Sequence, residues 1–169
     1  MTNRILGVEH PDTITAMGNL ASIYQCMGKY TEAERLEIQV LNARNKILGV
    51  EHPDTIYSMG SLASICQGMG KYTEAERQQI QVLDARNVIL GVENPDTIRA
   101  MASLASTYRY MGKYPEAEKL EIQVLDATNR IFGVEHPDTI RAMGHLASTY
   151  QSLEKYMFVL CFPILDPCT

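Results

Sequence analysis

From Pro11 onward the apolar residues recur at helical intervals. Ile14, Met17, Leu20, Ala21, Tyr24 and Met27 fall on one face of a predicted helix. Pro11 suits a first turn, where its missing N–H leaves no bond unmade, and Asp12 sets negative charge against the positive helix end. Gly28 closes this helix and Lys29-Tyr30 make the turn. A second apolar series, Ala33, Leu36, Val40, Leu41, Ile47 and Leu48, predicts a partner helix that stops at Gly49. Thr31 and Glu34 stand at the spacing of a capping box, so the second helix is expected to open there. Ala21 and Ala33 are small enough to let the two helices approach closely.

The same pattern then returns. GVEHPDTI begins at Gly7, Gly49 and Gly133, and GVENPDTI at Gly91, a period of 42 residues. Residues 7–48 and 49–90 agree at 33 of 42 positions, which only duplication explains. The chain therefore divides into complete repeats at 7–48, 49–90 and 91–132 and a partial one at 133–156. Residues 1–6 match only the tail of a second helix, and 157–169 (MFVLCFPILDPCT) form a divergent apolar tail. An excerpt from a longer array is the expectation. One such hairpin leaves half its apolar surface uncovered, and stacking on neighbours supplies the missing burial. The predicted class is thus all-α, a solenoid of helical hairpins. Gly18, Gly60 and Gly144 fall mid-helix, where Ala102 occupies the third copy, so glycine is not sterically required in every unit.

Composition narrows the function. With 46% apolar and 21% charged residues the chain belongs with globular proteins, and its net charge of −5 argues against a nucleic-acid partner. Cys26, Cys66, Cys161 and Cys168 lack any C-x-x-C spacing or regular framework, which fits a reducing, cytoplasmic setting. No apolar run is long enough to span a membrane and no signal peptide is evident.

Catalytic chemistry finds no foothold. The His-Pro-Asp triplets at His10, His52 and His136 resemble the signature of J-domains, but they recur once per repeat and Asn94 replaces the histidine in the third. That substitution fits helix capping, which asparagine also performs. Histidines spaced by a repeat stand too far apart for one metal ion. Glu32, Glu34, Glu74, Glu76, Glu116 and Glu118 fall in first turns, where acidic residues favour the helix dipole. Cys66 is expected in the core and Cys26 at the surface. There is no Ser/His/Asp or Cys/His constellation and no phosphate-binding glycine loop, so neither enzyme activity nor a cofactor or metal is expected.

The series L-A-x-x-Y, G-K-Y and E-A, at Leu20 to Tyr24, Gly28 to Tyr30 and Glu32-Ala33, resembles the tetratricopeptide repeat. The extra length and the LGVEHPDT linker resemble the 42-residue variety of kinesin light chains, also found in the repeat arrays of NOD-like (STAND) signalling proteins. Cys66 in place of Tyr24, and Pro115 in place of Thr31, depart from the pattern. The resemblance implies a right-handed superhelix whose first helices line a concave groove for a peptide or protein segment. It implies a scaffold within a larger adaptor or sensor. The positions that differ between copies are then the groove candidates: Thr15, Asn19 and Gln25; Tyr57, Ser61 and Gln67; Arg99, Ser103, Arg109 and Tyr110; Arg141 and His145. Kinesin-light-chain-like arrays carry asparagine at the Asn19 position to hold an extended peptide, and here only Asn19 keeps it. Arg99, Arg109 and Arg141 point to acidic or phosphorylated segments as ligands at the C-terminal end. The alternative is a self-assembly element that stacks through exposed array ends and the apolar tail.

Overall fold

A computed structural model describes Gly7 and residues 9–161, with side chains as far as Glu154. The partial repeat at 1–6 and residues 162–169 of the tail lie outside the described residues. Helices α1 (Pro11–Cys26), α2 (Tyr30–Leu48), α3 (Pro53–Gly68), α4 (Tyr72–Leu90), α5 (Pro95–Tyr110), α6 (Tyr114–Phe132) and α7 (Pro137–Cys161) account for nearly all of the described chain. Two compact units result, residues 1–89 and 90–169.

Each first helix begins the same way. The Nδ1 of His10, His52 and His136 accepts the backbone N–H of Asp12, Asp54 and Asp138 at 3.1–3.2 Å, and Asn94 Oδ1 accepts that of Asp96 at 2.9 Å. The His/Asn position is therefore an N-cap, which satisfies one of the donors that a helix start leaves free.

Helices α2 and α6 do not open on a capping box. The N-cap of α2 is Lys29, with no side-chain cap bond, so Thr31 already lies inside the first turn. Glu34 reaches instead to Lys71. The Gly28 turn, at φ +73°, returns the chain so tightly that the helix starts ahead of Thr31. Pro115 at the matching place in α6 thus displaces no cap, and a proline in a first turn costs no hydrogen bond.

In unit 1, α1 packs on α2 and α2 on α3, and α3 joins α4 through Leu62, Cys66 and Ala75. Ala21, Ala33, Ala63 and Ala75 are wholly buried, as close helix approach requires. In unit 2, α5 packs on α6 and α6 on α7, with Leu104, Ala105 and Ala117 in the core. A Cβ added at Gly18, Gly60 or Gly144 would meet no atom within 4 Å, so no close contact demands these glycines.

The last of the first helices outruns its counterparts, spanning 25 residues where α1, α3 and α5 span 16 each. Gly28, Gly70 and Gly112 end α1, α3 and α5 in the left-handed region at φ +72° to +74°. Glu154 holds that place in the fourth copy, and α7 runs on to Cys161. An L-residue resists the left-handed conformation, whereas glutamate is at home in a helix.

Candidate functional site

The variable first-helix residues are mostly solvent-facing. Thr15 and Asn19 on α1, Tyr57 on α3 and Arg99, Ser103 and Tyr110 on α5 are exposed, as is Arg141 on α7. Gln25, Ser61, Gln67 and His145 are half-buried, and Gln25 Nε2 donates to Ser64 Oγ at 2.8 Å, tying α1 to α3.

Three of them meet. Arg99 from α5 and Arg141 and His145 from α7 line one cleft in unit 2, of about 260 Å³. Pro95, Ile98 and Ala102 of α5, Val124, Thr128 and Phe132 of α6 and Asp138 and Ala142 of α7 complete it, so two guanidinium groups and one carboxylate border a largely apolar lining. Each arginine pairs with the aspartate three residues before it, Arg99 with Asp96 and Arg141 with Asp138. Both pairs are exposed, so an incoming anion competes with these carboxylates in high dielectric, where such pairs are weak. Burial, reinforced by the charges of Arg109 and Arg141, holds His145 below the usual histidine range.

Arg109 does not line this cleft. Its Nε lies 3.3 Å from an oxygen of Glu121 on α6, whose side chain is only 4% exposed. Burial raises the Glu121 carboxyl above the usual range, while the Thr149 hydroxyl and Arg109 oppose that rise. The exposed-looking arginine of the sequence is thus committed to a buried acid.

A position on the second helices, absent from the sequence-based candidates, differs between the seams that join a second helix to the next first helix. In unit 1 it is Arg44 on α2, whose Nη1 donates to the Asp54 carbonyl at 3.1 Å and to Ser58 Oγ at 2.8 Å on α3. Ser58 also bonds the buried Glu37, which burial pushes up and Arg44 draws down. In unit 2 the counterpart is Thr128, whose hydroxyl donates back to the Val124 and Leu125 carbonyls at 2.9 and 3.1 Å. Ala142 stands where Ser58 does. A long side chain that bonds α3 in unit 1 is replaced in unit 2 by a short one folded on its own helix, and that short side chain lines the cleft. The signal was visible in the sequence as Arg44, Arg86 and Thr128, one repeat apart.

The cysteines fall as expected, Cys26 exposed and Cys66 buried. Burial and the neighbouring Glu34 charge push the Cys66 thiol up, away from nucleophilic use. Among the described residues, no three His, Cys, Asp or Glu side chains gather to hold a metal ion.

Four overlapping stretches, residues 1–46, 12–87, 54–129 and 104–156, match the tetratricopeptide repeat family. Among solved structures, a Podosopora anserina kinesin light chain-like protein with nearly identical TPR-like repeats superposes with a TM-score of 0.78 at 31% identity, over 90% of this chain and 72% of that one. Its Q17M variant gives 0.79 at 30% identity, with the same coverage. BtubC (BKLC) from P. vanneervenii shares the fold, with a TM-score of 0.78 at 16% identity, over 88% of this chain and 59% of that one. No curated protein matches the sequence.

Proposed function

The chain belongs to the tetratricopeptide repeat family, in its 42-residue kinesin-light-chain-like form, and from that premise we propose that it is a scaffold holding an extended segment of another protein. The fold of this family supports protein interaction in general; the finer reading places the ligand on the first helices, with an acidic or phosphorylated side chain taken up by the α5–α6–α7 cleft of unit 2. One observation carries it. Arg99 and Arg141 occupy the same place in successive repeats and line a single cleft whose remaining lining is mostly apolar. Such a cleft offers guanidinium groups to an anionic head and apolar surface to the carbon atoms behind it. The net charge of −5 repels acidic ligands at long range, but salt screens that repulsion beyond about 8 Å and leaves short-range pairing to decide. We assign the protein no catalytic role and a cytoplasmic setting. Among the described residues no helix is long and apolar enough to cross a membrane.

The test is fluorescence anisotropy with labelled acidic and phosphorylated peptides, on the intact chain and on an Arg99→Ala/Arg141→Ala variant. The double change is expected to weaken binding by about 2 kcal/mol or more, with marked salt dependence in the parent. Equal affinity of the two proteins, or a preference for basic peptides, rules the reading out.

A further inference from the structure

The second repeat departs from the first and third at two positions that line one cleft. Tyr24 and Tyr108 have Cys66 as their counterpart, and Leu36 and Leu120 have Gln78. In the first repeat the Lys29 ammonium lies 5.8 Å from the centroid of the half-buried Tyr24 ring, and in the third Lys113 lies 5.5 Å from that of Tyr108. The repeat thus carries its own ring beside the turn lysine, at a distance where the ammonium is attracted to the ring face. In the second repeat the ring is gone. Its lysine, Lys71, turns to Glu34 of α2, with Nζ 2.7 and 2.9 Å from the two carboxylate oxygens. An open cleft of about 560 Å³ lies beside Cys66. Buried Leu62 and Gln78, exposed Ile38 and the Glu34–Lys71 pair line it as well.

We propose that this cleft in unit 1 is a socket for an aromatic side chain of the phenol type, supplied by a partner polypeptide in place of the tyrosine that this repeat lacks. Size permits it, since an apolar cavity of ~150 Å³ already accommodates benzene. Charge selects it. A carboxylate or phosphate would meet Glu34 and Glu74 against the single Lys71, and a cationic side chain would find both carboxylates already paired, Glu34 with Lys71 and Glu74 with Arg77. An alkyl chain would strip water from Gln78 and Glu34 without returning a hydrogen bond. A phenol ring offers its face to the Lys71 ammonium and its O–H to an oxygen of Glu34 or Gln78. The protonated Cys66 thiol serves as a small, weakly polar wall. None of these residues lines the α5–α7 cleft, so the socket stands or falls separately from the acidic-segment site.

The experiment follows isoleucine and leucine methyl resonances of the intact chain during titration with p-cresol, the side-chain analogue of tyrosine. Cyclohexylmethanol serves as the saturated control and a blocked Gly-Tyr-Gly peptide as the polypeptide arm. Saturable shifts at Leu62 and Ile38 are expected with both p-cresol and the peptide. The saturated alcohol should bind at least about threefold more weakly, because it lacks a ring face for the ammonium. Cys66→Tyr, which restores the ring of the neighbouring repeats, should abolish the shifts, with thermal unfolding confirming that the variant folds. Should it not fold, Cys66→Tyr with Gln78→Leu reproduces the complete pair of the first and third repeats. The proposal is overturned by absent or non-saturable shifts, by equal binding of the saturated alcohol, by p-cresol binding without peptide binding, or by undiminished binding to a folded ring-restored variant.

Discussion

The seam between α2 and α3 and the seam between α6 and α7 are built from copies of one sequence, yet the first is bridged by a side chain that the second lacks. Arg44 reaches from α2 to the Asp54 carbonyl and Ser58 in the first, while Thr128 turns back onto α6 in the second. On the proposed reading the residues that meet a ligand sit on the first helices, and Thr128 of a second helix lines the cleft beside them. In a duplicated fold, a binding site can thus arise by removing a structural side chain as readily as by adding a recognising one.

The comparison breaks most severely at Arg44. Arg44→Ala removes both bonds to α3 and the charge that draws the buried Glu37 carboxyl down, and is expected to cost about 2–3 kcal/mol in denaturant unfolding. A loss below about 0.5 kcal/mol would show that the seam does not need its strut. Next comes Thr128→Arg, which places in unit 2 the residue that spans unit 1. It should weaken binding of the acidic peptide at least about tenfold, near 1.4 kcal/mol, while the circular dichroism spectrum stays helical. Unchanged affinity would separate ligand binding from the cleft.

The buried acids sharpen the comparison through pH. Glu37 and Glu121 have carboxyls raised by burial, so the folded state holds their protons more readily than the unfolded chain. The stability that this contributes is fully present below the unfolded carboxylate range and is lost as pH rises through the raised folded values. Gln79 occupies the matching position in the second repeat and is buried there as an amide. Glu121→Gln should therefore shift the balance toward the folded state more at neutral than at acid pH, read from denaturation midpoints. A midpoint difference that does not change with pH would contradict the assignment. The smallest effect is expected at Gly60 on α3, whose counterpart Ala102 lines the cleft of unit 2. Gly60→Ala meets no atom within 4 Å and should raise stability by up to about 1 kcal/mol. A loss of similar size would reveal a backbone approach too close for a methyl group.

Much of the fold was legible because proline and glycine punctuate it. Pro11, Pro53, Pro95 and Pro137 begin the first helices, and Gly49 and Gly133 stop second ones. The Thr31–Glu34 spacing misled because a capping box is recognised by residue type alone, whereas the Gly28 turn fixes where the backbone becomes helical. Of the site, the convergence of Arg99 and Arg141 followed from their equivalent places one repeat apart, and His145 lies one helical turn beyond Arg141. Arg109 misled because its partner Glu121 lies on another helix and looks like any surface glutamate in the string of letters. Thr128 was passed over for the opposite reason: it has no conspicuous chemistry, and its importance lies in the arginine it is not.

The turn glycines add a genetic dimension to this economy. At Gly28, Gly70 and Gly112 the backbone reverses and a hairpin forms; at Glu154 it does not, and α7 continues unbroken. Some glycine and glutamate codons differ by a single base. Folding the chain back into a hairpin or extending it as one longer helix is therefore, for such codons, one point mutation away.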